Sequence, residues 1–202
     1  SSSTANAAEN DTAAIDVNHT DADSDTITYT ISGGVDADLF NIDSGTGVVT
    51  FKAAPNFEAP GSNASSNNYV INVTATDDGT GTLAVTQTIT ISVTNGNDAP
   101  VITTTSFGGI EENQTVIGTL AATDADSGDS ITFAITGGVD SDKFSAGGVG
   151  GSTLAFSGFT PNFELPTGGV GNNSNTYEVQ ITATDNGTGT LTDVETVSVT
   201  VV

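Results

Sequence analysis

The chain has 202 residues, 25 of them Asp or Glu against only Lys52 and Lys143, which gives a formal net charge of -23. Such a surplus repels nucleic acid and anionic lipid and excludes both as partners, and it strains a compact fold unless cations bind or salt screens the charge. The lack of cysteine removes disulfides and thiolate metal sites, no apolar run approaches the roughly 20 residues needed to cross a bilayer, and the lack of methionine even at residue 1 points to an excerpt of a longer chain.

Glu9-Asn10 opens the chain's first acidic motif, followed by Asp21 and Asp23. Ile27, Tyr29 and Ile31 alternate with polar residues and predict a strand with one face to a core. Gly33-Gly34 marks a turn, Phe40 takes a core phase, Ser44-Gly-Thr-Gly47 turns again, and residues 48–51 predict a short strand. Pro55-Asn-Phe-Glu58 precedes a surface loop rich in Ser and Asn over 61–68. Tyr69, Ile71, Val73 and Ala75 predict a longer strand that runs to Asp77, Asp78-Gly79 turns, and Ile89, Ile91 and Val93 predict the strand that follows. Residues 94–100, polar and closed by Pro100, read as a linker too short to act as a flexible spacer.

Beyond the linker the chain repeats itself. Glu9 returns as Glu112 and Asp21 as Asp124 at an offset of 103; Tyr29 returns as Phe133 and Phe40 as Phe144 at 104; Glu58 returns as Glu164 at 106, and Asp77 as Asp185 at 108. The strands return too, as Ile131, Phe133 and Ile135, a segment around 154–156, then Tyr177, Val179, Ile181 and Ala183, then Val197, Val199 and Val201. An offset that grows in small steps means one fold used twice, with loops absorbing the insertions. Gly168 to Asn175 repeats the low-complexity loop, and nothing reads as a long amphipathic helix. The expected fold is all-β: two tandem seven-stranded Greek-key β-sandwiches of immunoglobulin-like architecture, one over 1–97 and one over 98–202.

The acids recur at matched positions, which scattered surface charge would not do. A hard divalent cation such as calcium takes six to eight oxygen ligands, and carboxylates from several loops supply them without imidazole or thiolate. Loops at one pole of a sandwich cluster, so Asp124, Asp126 and Asp185 are expected to converge at one end of the second copy. Glu9, Asn56 and Glu58 are expected at the end of the first copy beside the linker, which makes the junction a metal site.

In these motifs the chain resembles tandem cadherin repeats, whose pattern is x-E-N, D-x-D, D-x-E, A-x-D and a D-x-N-D-N-x-P linker. Glu9-Asn10 and Glu112-Asn113 match the first, Asp21/Asp23 and Asp124/Asp126 the second, and Asn56-Phe-Glu58 and Asn162-Phe-Glu164 the third. Ala75-Thr-Asp77 and Ala183-Thr-Asp185 match the fourth, and residues 95–100 the linker. The Gly-, Thr- and Asn-rich filler is more similar to the cadherin-like repeats of large bacterial surface adhesins than to those of animal cadherins.

The resemblance implies three calcium ions at the junction. The ion nearest the second repeat would take Asn97, Asp124, Asp126 and Asp185 as side-chain ligands, with carbonyls from Ala99 and a residue near Gly128. The next would take Glu9, Glu58, Asp98 and Asp126 with the Gly96 carbonyl, with Asn95 where the family has Asp. The outermost would take Glu9, Glu58 and Asp98, with Asn56 where the family has Asp. Each Asn removes a charge and a bidentate option, so affinity is expected to fall outward across the junction. Asp21, Asp23 and Asp77 form a receiving half-site at one end, and Glu112, Asn162 and Glu164 a donor half at the other, without linker aspartates.

Other chemistries fit poorly. The run Asp21, Asp23, Asp25 lacks the glycine, the closing glutamate and the helices of a helix-loop-helix calcium loop. His19 is the only histidine and its counterpart is Ala122, and there is no tryptophan to form a sugar platform, so no enzymatic activity is expected. The tryptophan exchange that joins animal cadherins has no residue to perform it. The expected function is a calcium-stiffened pair of repeats within an extracellular, cell-surface adhesin that supports calcium-dependent adhesion, its partners being calcium and neighbouring cadherin-like repeats. The alternative is a calcium-dependent binding module for polysaccharide or for another copy of the adhesin.

Overall fold

A computed structural model describes residues 3–168 and 174–202; most of the expected loop at 168–175 lies outside the described residues, and its flanks Gly168 and Ser174 form an antiparallel bridge. The chain divides into two compact units, Ser1–Gly96 and Asn97–Val202. Asn97 thus falls with the second unit, one residue earlier than the sequence-based boundary.

The first unit has seven strands: β1 (Thr4–Ala8), β2 (Ala13–Asp16), β3 (Ile27–Gly33), β4 (Phe40–Ile42), β5 (Val48–Phe51), β6 (Asn68–Asp77) and β7 (Ala84–Thr94). They form a four-stranded sheet in the order β1-β7-β6-β3 and a three-stranded sheet in the order β2-β5-β4. β1 runs parallel to β7, whereas the remaining ladders are antiparallel. Period-2 alternation does what it predicts: Tyr69, Ile71 and Val73 of β6 and Ile89, Ile91 and Val93 of β7 are buried. From the smaller sheet Phe40, Val49 and Phe51 close the core, with the Phe51 and Tyr69 rings edge to face at 5.2 Å.

The second unit repeats these seven as β9 (Ser106–Ile110), β10 (Val116–Thr119), β12 (Thr132–Gly137), β13 (Phe144–Gly147), β14 (Thr153–Phe156), β15 (Thr176–Thr184) and β16 (Thr192–Val201). The sheet orders are β12-β15-β16-β9 and β10-β14-β13, matching the first unit strand for strand. Two additional strands, β8 (Val101–Ile102) and β11 (Ala122–Thr123), pair with each other antiparallel. Tyr177, Val179, Ile181, Ala183, Val197 and Val199 are fully buried. The fold is therefore two all-β, seven-strand Greek-key sandwiches, the second with a short added ribbon.

One turn shows why its glycine is there. Gly34 and Gly138 sit at φ +102 and +101, and a Cβ on either would come within 2.5 Å and 2.7 Å of the Cα of Ile71 and Val179. No L side chain fits that approach. The next acid, Asp36 or Asp140, is buried: Asp36 Oδ1 accepts the Asn63 amide and Oδ2 the Val70 amide, each at 2.7 Å, and Asp140 Oδ2 accepts the Glu178 amide at 2.9 Å. These aspartates are structural clamps that the sequence analysis did not single out.

Candidate metal centre

In the second unit the acids lie on two loops, the one between β11 and β12 and the one after β15. Asp124 and Asp126 follow β11, Asp129 precedes β12, and Asp185 directly follows β15, where it is only 4% exposed. Carboxylate oxygens of Asp124, Asp126 and Asp129 all lie within 4.8 Å of one another. Backbone amides organise the acids: Asp124 Oδ1 accepts the Asp126 amide at 3.0 Å, and Asp185 accepts Gly187 through Oδ1 at 2.9 Å and Leu191 through Oδ2 at 3.0 Å. The start of the unit is tied to the same place. Asn97 Nδ2 donates to Asp185 Oδ2 at 3.1 Å, and the Asp98 amide donates to Asp126 Oδ2 at 2.7 Å.

Two atoms remain unanswered. The Oδ2 atoms of Asp124 and Asp129 are buried and have no hydrogen-bond partner among the described residues. Desolvation pushes the Asp129 carboxyl above the ordinary aspartate range, and the neighbouring charges of Asp124, Asp126 and Asp185 push it further. Gly128, at φ +109, supplies the left-handed residue between Asp126 and Asp129, and Ala99 is exposed. Asp129 was not among the expected ligands.

The first unit carries the same receiving arrangement in looser form. Asp21 Oδ1 accepts the amides of Asp23 and Asp25, each at 3.0 Å, and Asp77 Oδ1 accepts Gly79 at 3.1 Å and Leu83 at 3.0 Å. Asp23 is exposed where Asp126 is half-buried, and among the described residues Asp21, Asp23 and Asp25 do not close to the spacing of Asp124, Asp126 and Asp129, just as neither Asp77 nor Asp185 joins its aspartate pair at that spacing. Burial first, then the charges of Asp21, Asp78 and Asp77, raise the Asp25 carboxyl, so it stands where Asp129 stands in the other unit.

At the other pole of the first unit, Glu9 is 5% exposed and its oxygens hold two amides, Phe57 at 2.7 Å and Gly96 at 2.6 Å. The Glu58 carboxylate, on an exposed residue, lies within 4.8 Å of that of Glu9. Asn56 is exposed and its Oδ1 accepts the Ala59 amide, and Asn95 is exposed beyond β7. The second unit repeats the motif: Glu112 accepts the Phe163 amide at 3.1 Å and Asn162 Oδ1 the Leu165 amide at 2.7 Å. The Asn of each Glu-Asn pair has its own reason. Asn10 and Asn113 adopt φ 60 and 65, a left-handed conformation that Asn tolerates better than most residues, and their amides donate to Pro55 and Pro161.

The donor set fits a hard, oxygen-seeking cation. The atoms it offers are carboxylate, amide and carbonyl oxygens, the chain has no arginine, and the Oδ2 atoms of Asp124 and Asp129 are buried with no hydrogen-bond donor among the described residues.

Residues 3–94 match the family model of the cadherin domain. The whole chain is similar in fold to Drosophila N-cadherin EC1-4, with 26% identity, a TM-score of 0.57, and coverage of 100% of this chain and 48% of that one. It is likewise similar to human protocadherin-24 EC1-2 (20% identity, TM-score 0.58, 99% of this chain and 94% of that one). For mouse cadherin-23 EC22-24 the figures are 21% identity, TM-score 0.55, and 98% and 63% coverage. No curated protein sequence matches significantly. The chain spans about half of the N-cadherin fragment and under two thirds of the cadherin-23 fragment. The first unit thus matches the cadherin domain along nearly its whole length, and the second repeats its sheet order strand for strand. Cadherin domains are extracellular, and theirs is a non-enzymatic adhesion family. Among the described residues no helix is long and apolar enough to cross a membrane.

Proposed function

We propose that this chain is a calcium-binding segment of an extracellular, cell-surface adhesin, resembling the large bacterial kind, in which calcium stiffens consecutive repeats and so supports calcium-dependent adhesion without catalysis. The observation that carries this reading is the acid set of the second unit, where Asp124 and Asp129 each keep a buried carboxylate oxygen without a hydrogen-bond donor among the described residues. By the order of motifs along the chain, Glu9, Asn56, Glu58, Asn95 and Gly96 are the ligands contributed by the first repeat. Asn97, Asp98, Ala99, Asp124, Asp126, Gly128 and Asp185 are those contributed by the second. Asp21, Asp23 and Asp77 are the corresponding half-set of the first repeat toward a neighbouring repeat.

Bound calcium supplies positive charge and takes up the oxygen lone pairs that the fold leaves facing one another. The residues do the rest: Asp185 is held rigidly by Gly187, Leu191 and Asn97, and Asp126 fixes the backbone of Asp98. Extracellular modules bind calcium at about 0.1–1 mM, which leaves the ligands free in a cytosol and filled outside. Each site filled to one hundred times Kd adds about 2.7 kcal/mol to the bound state.

The aromatic residues favour the spacer over a sugar-binding module, because Phe40, Phe51, Tyr69, Phe144, Phe156 and Tyr177 are spent in the cores. A calorimetric calcium titration tests the binding, and small-angle scattering with calcium and with chelator tests the stiffening. Graded affinities and a narrower distribution of dimensions with calcium are expected. Three equal tight sites would overturn the graded ligand assignment, and identical scattering profiles would overturn the stiffening.

A further inference from the structure

Resting on the calcium reading above, the geometry points to Asp129 as a side-chain ligand of the ion bound by Asp124 and Asp126, with Gly187 as the residue that leaves it room. The family resemblance gives this stretch only a backbone carbonyl, near Gly128. Here a carboxylate stands one residue further on, its oxygen within 4.8 Å of those of both aspartates. Its Oδ2 is buried and meets no donor among the described residues. A buried carboxylate oxygen without a donor is costly, and a cation from solution is the partner that this acid set can recruit.

The glycine gives a second and independent line. A Cβ on Gly187 would lie 2.6 Å from Asp129 Oδ2 and would overlap Asn97 Oδ1, so any side chain there would displace both oxygens. The first unit repeats the close approach of a carboxylate to this glycine: a Cβ on Gly79 would overlap Asp25 Oδ2. The two loops are built differently, since Asp25 follows Asp23 by two residues whereas Asp129 follows Asp126 by three, with Gly128 taking up the difference. Both nevertheless bring a carboxylate onto the same glycine. Loops of unequal length that deliver one chemical group to one place indicate that the group is what the loop is for.

The acids of the second unit then number four, Asp124, Asp126, Asp129 and Asp185, and a higher charge count tightens a calcium site. The test follows the amides of Gly187 and Asp126 in the full chain by NMR during calcium titration, below the melting temperature of every variant. Asp129→Asn should raise the Kd read at these amides roughly tenfold, and should leave the melting temperature in chelator unchanged or higher, because a repelling charge is gone. Gly187→Ala should weaken binding likewise. An unchanged Kd in D129N overturns this assignment, and so does a Kd unchanged beside a lower melting temperature, which marks a purely structural acid. If D129N does not fold, Asp129→Ser, smaller and neutral, repeats the measurement under the same criteria. Failure of the unsubstituted chain to respond to calcium would overturn the calcium reading as well, so the two failures are distinguishable.

Discussion

Glu9 grips Phe57 by its backbone: one carboxylate oxygen of the first receives the amide of the second at 2.7 Å, and Glu112 and Phe163 repeat the bond at 3.1 Å. The other oxygen of Glu9 holds Gly96, the last residue of the unit. A motif that reads as a metal ligand is thus also a strut.

The two roles of Glu9 separate by substitution. Glu9→Ala leaves two amides short of an acceptor and should cost about 2–4 kcal/mol even in chelator. Glu9→Gln keeps one acceptor and should cost less than half of that, yet weaken calcium binding to a similar degree. Calorimetric melting with and without calcium checks both.

Asp36 offers the opposite case, an acid with structure but no metal. It is 1% exposed and holds Asn63 and Val70, so Asp36→Ala should destabilise the first unit by about 2–5 kcal/mol. Calcium binding by Asp124, Asp126 and Asp185 should be untouched. Denaturant unfolding followed at Tyr69, beside a calcium titration, decides it.

Asp43 gives a pH dependence. The Thr46 amide first, then the Thr46 hydroxyl and the Gly45 amide, hold its carboxyl below the ordinary aspartate value of 3.8. A carboxyl depressed in the folded state contributes stability that is fully present above its unfolded value and is lost as pH falls through the lower folded one. Carbon-detected NMR should place the Asp43 midpoint below 3.8, and Asp43→Ala should remove that part of the acid sensitivity. A midpoint at or above the ordinary value would contradict the turn geometry.

Thr82 and Thr190 hold φ 44 and 48 in matched hairpin turns, a left-handed conformation that is strained for β-branched residues. Replacing either with Asn, which tolerates that region, should raise stability by about 1 kcal/mol. Thermal melting of each single variant and of the pair checks it, with near-additivity expected because the sites lie in separate units.

Much of this was legible in the sequence because two periodicities carried it. Alternation along β6 and β15 gave the strands and their inward faces, and the duplicated Asp21/Asp23 and Asp124/Asp126 gave the acidic loops. The ribbon of β8 and β11 was not legible, since two residues per strand are too few to alternate. Asp129 escaped for a related reason: the one-residue difference at Gly128 shifts it out of the register that made its neighbours conspicuous. The step in offset from 103 at Asp124 to 104 at Phe133 was the available signal, because it locates the insertion between them. Asp36 lay outside every motif and Asn10 stood only as the partner of Glu9 in the Glu-Asn pair, and only burial and a positive φ revealed what they hold.

The parallel pairing of β1 with β7 has a mechanical meaning. Five residues of the unit's first strand, Thr4 to Ala8, lie in register beside Thr90 to Thr94 of its last, running the same way. The chain therefore enters the unit at one end of this ladder and leaves at the other. A pull on the two chain ends loads the ladder in shear, with its hydrogen bonds sharing the force, instead of peeling them apart one at a time. β9 and β16 repeat the arrangement in the second unit, so tension carried along the polypeptide meets the same interlock twice.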